Sequence, residues 1–292
     1  MRIVLTCIAL SFTAPLGAND AAIAAALKSK GAEITETKGE VTGVSFRDCS
    51  KFTAADFAQV RELSKVKQVS LGMGSNDGTL QALGALPELE VLSTNGLDAT
   101  DAGISVLTAC KKLKSFALFH PGKNFTGSGL AALAQMPALE SLTVGGSSQF
   151  ADAGMAAVAT IKGLKGFRTW HTGVTLEGVK QLTALKKLTS LTLGQRLSYT
   201  PPTTLADDCL PALAELTSLE SLNLTEARLS LAALEQLKKL PKLKRLNLDG
   251  IDLAESDVAA LKQQLAKTDV RWTAPKEADK KRIDALFGAG KN

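Results

Sequence analysis

The sequence predicts an α/β solenoid, a stack of strand–loop–helix units, and three observations predict it. The segments LKSFAL from Leu113, LESLTV from Leu139, LTSLTL from Leu188 and LESLNL from Leu219 share one pattern of apolar positions. Extended along the chain, the first positions of nine copies are Val41, Val66, Leu89, Leu113, Leu139, Leu164, Leu188, Leu219 and Leu243, spaced by 25, 23, 24, 26, 25, 24, 31 and 24 residues. A period of this size marks a repeat array, in which each unit buries its apolar face against its neighbours. Before each new copy stands an apolar triplet at spacing three, from Phe57, Val60, Leu63 to Leu234, Leu237, Leu240.

Each element follows from these patterns in chain order. Residues 1–18 read as a secretory signal peptide: Arg2, an apolar stretch from Ile3 to Ala14, then small residues up to Ala18. Residues 19–40 form an N-terminal cap, with a helix over NDAAIAAALKSK placing Ile23, Ala26 and Leu27 inward and a short strand at AEITET. Such a cap is required because a solenoid exposes its core at both ends. Residues 41–266 hold the nine repeats. The alternation that closes each L-x-x-L-x-L stretch predicts a short strand with one buried face, and spacing three predicts one face of a helix. Thr53, Thr100, Thr126, Thr175 and Ser230 precede the helical runs as N-caps, and Thr53 with Asp56 forms a capping box. Residues 267–292 form the C-terminal cap: a last strand at Val270–Trp272 with Trp272 buried, then a closing helix from Pro275 over PKEADKKRIDALF.

The nine in-phase copies resemble the leucine-rich repeat family over roughly residues 41 to 273. The position after each strand holds Cys49, Leu97, Pro121, Ser147, Thr172, Arg196, Ala227 and Ile251 in place of the family's common Asn. With the 24-to-26-residue period and TDAG at Thr100–Gly103, the chain looks most similar to the cysteine-containing and ribonuclease-inhibitor-like subclasses, in a bacterial-type exported protein. The resemblance implies a right-handed horseshoe with a parallel sheet on the concave face and α-helices on the convex face. It also implies a binding role without naming a partner.

Composition narrows the function. The 292 residues are 45% hydrophobic but only 4% aromatic, so the core is aliphatic. A net charge of +5 with interleaved acids and bases predicts neither a nucleic-acid stripe nor a polybasic anchor. No run of 18 apolar residues predicts an integral membrane span. Beyond the signal, Cys49, Cys110 and Cys209 are widely spaced with no CxxC, and read as buried single thiols rather than a disulfide framework or metal site. No Ser-His-Asp set, phosphate loop or HExxH is recognisable, so the expectation is a monomer that is not an enzyme and carries no cofactor and no metal.

The segment FRTWHTGV at 167–174 is the candidate site. In the repeat register Phe167 and Thr169 face the core, so Arg168 and Trp170 point onto the concave sheet, with His171 at the strand exit. Across the copies, Phe119-His120, Gly145-Gly146 and Trp170-His171 form three adjacent rows. The outer rows are roughly 10 Å apart, which predicts a cleft with aromatic walls and an unfilled glycine floor. The one long repeat adds QRLSYTPPTT, carrying Arg196 and Tyr199, as a loop able to overhang it. Phe119, His120, Arg168, Trp170, His171, Arg196 and Tyr199 are therefore the candidate binding residues, because aromatic and Arg side chains carry most interface energy. The expected partner is a protein or peptide on the concave face. The alternative is a small ligand or carbohydrate stacked between Phe119 and Trp170.

Overall fold

The computed structural model describes residues 17–195 and 203–288. Among these, eleven strands form one sheet in strict sequence order. They are β1 (Glu33–Thr37), β2 (Glu40–Asp48), β3 (Gln68–Met73), β4 (Val91–Asn95), β5 (Ser115–Phe119), β6 (Ser141–Gly145), β7 (Gly166–Trp170), β8 (Ser190–Gly194), β9 (Ser221–Thr225), β10 (Arg245–Asp249) and β11 (Asp269–Thr273). From β2 onward every neighbouring pair is parallel and in one register, so Leu142, Phe167, Leu191 and Leu222 lie in a single row. The 31-residue repeat does not shift the register, so its extra length is absorbed after β8. The chain is thus an α/β leucine-rich repeat solenoid. The helical segments form the second layer.

The core lies between the two layers and is a single apolar cluster running from Ile23 to Val270. Both inward rows of the sheet are buried, with Thr94 and Thr169 as polar members. The Thr94 hydroxyl donates to the Ala117 carbonyl at 3.3 Å, and the Thr169 and Thr172 hydroxyls share a 3.4 Å bond. Trp272 departs from expectation. It is only partly buried, because β11 has no following repeat to cover its third position, and its indole N–H donates to the Ile251 carbonyl at 2.8 Å.

The helical layer is less regular than a row of α-helices. Ala54–Gln59 and Asp152–Val158 are α-helical, whereas Gly103–Ala109 and Ser128–Gln135 are 3-10 helices. Ile104, Leu107, Cys110 and Leu130, Leu133, Met136 stay on one buried line at 3.0 residues per turn, a spacing that the α-helical units share. Thr53 and Asp56 form the capping box, and Thr175 and Ser230 also cap with their side chains.

A ladder of carboxylates joins these helix starts from one repeat to the next. Asp77 accepts from the Thr100 amide and hydroxyl, Asp101 from those of Thr126, and Asp152 from those of Thr175. Asp207 accepts from the Ser230 amide. Asp152 therefore does more than favour its own helix dipole; it ties down the cap of its neighbour. Burial would raise the Asp101 carboxyl, but bonds from Thr126 and the Gly129 amide outweigh it and hold the group below the ordinary carboxylate range.

The ends are closed differently. A helix at Ala18–Ser29 buries Ile23, Ala24 and Leu27, so Ala24 rather than Ala26 faces inward. Strand β1 then returns antiparallel to β2 through Lys38 and Gly39, both at positive φ as a two-residue hairpin turn requires. At the far end the closing helix runs Glu277–Phe287, beginning two residues after Pro275, with Ile283 buried. Arg228 holds it: its guanidinium donates to Asp252 and Asp284 at 2.5 Å and to the Gly288 carbonyl. Among the described residues, no helix is long and apolar enough to cross a membrane. The predicted signal lies almost wholly in residues 1–16, outside those described.

The three thiols Cys49, Cys110 and Cys209 are buried and unpaired. Burial pushes the Cys209 thiol up to about 12 and raises the other two.

Candidate functional site

Of the outward columns of side chains on the open face of the sheet, two carry the candidate residues. The first runs Ser70, Ser93, Ala117, Thr143, Arg168, Thr192, Asn223, Asn247 and Arg271 on consecutive strands. The second contains Asn95, Phe119, Gly145 and Trp170 on β4 to β7. These are the columns that repeat register predicts, since strand side chains alternate between faces.

The cleft expected between Phe119 and Trp170 is absent. The two rings meet at a centroid distance of 5.9 Å, tilted by 48°. They can meet because the indole lies across Gly145, where an added Cβ would sit 2.8 Å from its Cε2 and Cζ2 atoms. His120 does the same one position further on, its Cδ2 lying 2.4 Å from a Cβ built at Gly146. The glycines are therefore seats for rings reaching over from both sides, not an empty floor. The rings form a low ridge, on which Phe119 and Trp170 are part-buried and His120 is exposed.

Arg168 completes the ridge. Its guanidinium carbon stands 5.3 Å from the Trp170 ring centre, a cation–π contact. With Gly145 beneath the ring, Phe119 at its side and Arg168 over it, the indole has little free face left for a stacked sugar. Among the described residues no hydrogen bond or ion pair engages the Arg168 N–H groups, so the fork stays available in its plane.

The strand-exit positions next to the ridge are conformationally unusual. Gly96, His120, Gly146, His171, Glu226 and Gly250 all have positive φ, with His120 at 47°, His171 at 53° and Glu226 at 62°. Three non-glycine residues thus occupy the left-handed region, at roughly 1–2 kcal/mol each, and such positions cluster at functional sites.

Two of these three residues pair with each other. The His171 Nε2 and Glu226 Oε2 atoms are 2.7 Å apart, although their strands are two apart. The residue between them, Gln195, turns inward and is fully buried, its Oε1 accepting from the Thr204 and Leu205 amides at 3.0 and 2.9 Å. Repeat register alone does not bring Glu226 to His171; it becomes a neighbour only once Gln195 leaves the row. The histidines diverge, His120 bonding the Asn95 side chain at 3.1 Å. Among the described residues no hydroxyl or thiol bonds to His171, and no group of three or more His, Cys, Asp or Glu side chains could hold a metal ion.

Beside the ridge the face opens into a trough of about 510 Å³ across β7 to β11. Its floor is a ladder of side chains: Asn247 donates to Asn223 at 2.5 Å, and Asn223 donates to Thr192 at 3.1 Å. The in-phase positions of these residues are visible in the sequence, but the trough is not. Arg196 and Tyr199 lie outside the described residues.

This repeat architecture with a ridge and trough on its open face defines the class of molecule, a leucine-rich repeat solenoid. No protein-family model matches the chain, and no curated protein matches it. Among solved structures, the chain is similar to the crystal structure of an internalin from Listeria monocytogenes, at 17% identity over 91% of this chain and 100% of that one, with a TM-score of 0.32. The fold assignment rests on the nine copies and the in-phase sheet rather than on that likeness.

Proposed function

We propose that this chain is an exported, non-enzymatic scaffold that binds a protein or peptide on its concave face. Phe119, Trp170 and Arg168 are the anchors, His120 and His171 flank them, and Arg196 and Tyr199 of the following loop add further contacts. Residues 1–18 act as the removed signal and residues 19–40 and 267–292 as caps, in a protein of the cysteine-containing or ribonuclease-inhibitor-like type.

One observation carries the reading: an aromatic–arginine ridge stands seated on glycines amid a face of Ser, Thr and Asn, with αL backbone beside it at non-glycine positions. Stability does not explain the arrangement, since glycine would relieve the backbone and a polar residue would suit the surface. Interfaces favour a central aromatic and arginine cluster within a polar rim. A sugar held between two aromatic walls is disfavoured, because the rings touch each other.

The test is affinity capture from extracytoplasmic extract with the mature chain as bait. A Trp170→Ala, His171→Ala double variant, checked for unchanged folding, serves as control. A partner retained by the parent and lost by the variant supports the reading; equal capture by both moves the site elsewhere.

A further inference from the structure

The trough beside the ridge has a definite electrical polarity. Four charged side chains stand in the two outward columns of the ridge, Arg47, Arg168, Asp249 and Arg271, while Arg245 and Asp269 stand in the outward row at the strand starts, away from the ridge. Arg47 is paired with Glu33 at 2.6 Å, and Arg271 is held by Asp269 at 2.8 Å. Arg168 and Asp249, both lining the trough, have no ion pair among the described residues. They are opposite in sign and sit on β7 and β10, three strand spacings apart, with the Thr192–Asn223–Asn247 ladder between them.

These positions have a natural ruler. Three spacings and a two-residue step along β10 put them about 16 Å apart, and an extended chain advances about 3.4 Å per residue, so positions i and i+4 of an extended peptide come within side-chain reach of both. Side chains at i and i+4 of an extended chain point to the same side, so one peptide face can meet both charges at once. The Arg168 guanidinium is already oriented by the Trp170 ring while its N–H fork is unengaged, the arrangement suited to a bidentate carboxylate. The amide ladder offers donors and acceptors to the intervening backbone.

We infer that the trough takes an extended peptide segment carrying an acidic residue and, four positions away, a basic residue. The acid lies on Arg168 next to the ridge and the base on Asp249. This rests on the proposed binding role of the same face and adds the chemistry and polarity of its partner.

The experiment pans a displayed random-peptide library against the full chain, against Trp170→Ala, and against an Arg168→Glu, Asp249→Arg double variant. Enrichment of an acid and a base four positions apart by the parent supports the inference, with the order of charges inverted by the double variant. Peptides selected on the parent are then expected to bind the double variant ~10-fold or more weakly, because like charges are brought together. Enriched peptides that need Trp170 but show no charge pair would overturn the inference and leave the binding role standing. Enrichment indifferent to Trp170, or none at all, would overturn both.

Discussion

Phe119 and Trp170 touch across an intervening strand, at 5.9 Å between ring centres, because Gly145 between them has no side chain. The contact makes a ridge from what would otherwise be two isolated aromatic residues, and it makes the glycines part of the surface chemistry. Their replacement should therefore be felt by the indole.

Gly145→Ala is expected to destabilise the fold by about 1 kcal/mol, the low end for overpacking, since a surface ring can swing away. In a Trp272→Phe background its emission should shift to the red as Trp170 gains solvent. Gly146→Ala should cost more, because its φ of +73° adds about 1–2 kcal/mol of left-handed strain to the clash with His120. Chemical denaturation of the two variants ranks them, and the reverse order would contradict the seating geometry.

Asp101 makes a pH-dependent contribution. Its folded carboxyl is held below the ordinary range, so its stabilisation is complete above the unfolded pKa and is lost as pH falls through the folded one. Asp101→Asn should lower stability at neutral pH by about 1–2 kcal/mol, by weakening the bonds to Thr126, Gly127 and Gly129. It should also flatten the acid limb of a plot of Tm against pH. An unchanged acid limb would mean that the carboxylate ladder is incidental.

Much of the architecture was legible in the sequence because it depends on period. The inward rows, the N-caps at Thr53, Thr175 and Ser230, and the burial of Cys49, Cys110 and Cys209 all follow from position within a repeat. What period does not carry is the lean of a side chain across its neighbours. The columns placed Trp170 beside a glycine, but only the fold shows the ring lying on it. Glu226 was unreadable as the partner of His171 for a related reason: pairing needs Gln195 to turn inward toward Thr204 and Leu205. The part-buried Trp272 reflects its place on β11, the edge strand among the described residues.

The thiols offer a direct probe of core packing. With Cys7 replaced by serine, the native protein should resist maleimide at pH 8 and take up three labels once unfolded, since Cys49, Cys110 and Cys209 are buried with raised pKa values. Rapid labelling of the native state would place at least one thiol at the surface.

Arg228 is expected to govern the C-terminal cap. Arg228→Ala removes its bonds to Asp252, Asp284 and the Gly288 carbonyl and should cost about 2 kcal/mol, less than a fully buried pair because the site is partly open. Hydrogen exchange should then accelerate in Glu277–Phe287 and leave β2 to β8 unchanged. Uniform acceleration would show that the cap is not a separate unit.

The central claim is that the ridge touches the partner. The most direct test is the fluorescence of Trp170 in the Trp272→Phe chain, titrated with a captured partner or selected peptide whose binding is followed independently by calorimetry. The account predicts a saturable blue shift whose midpoint matches the calorimetric Kd, as the part-exposed indole is covered. Saturated binding with unchanged emission would contradict it and place the partner elsewhere on the solenoid.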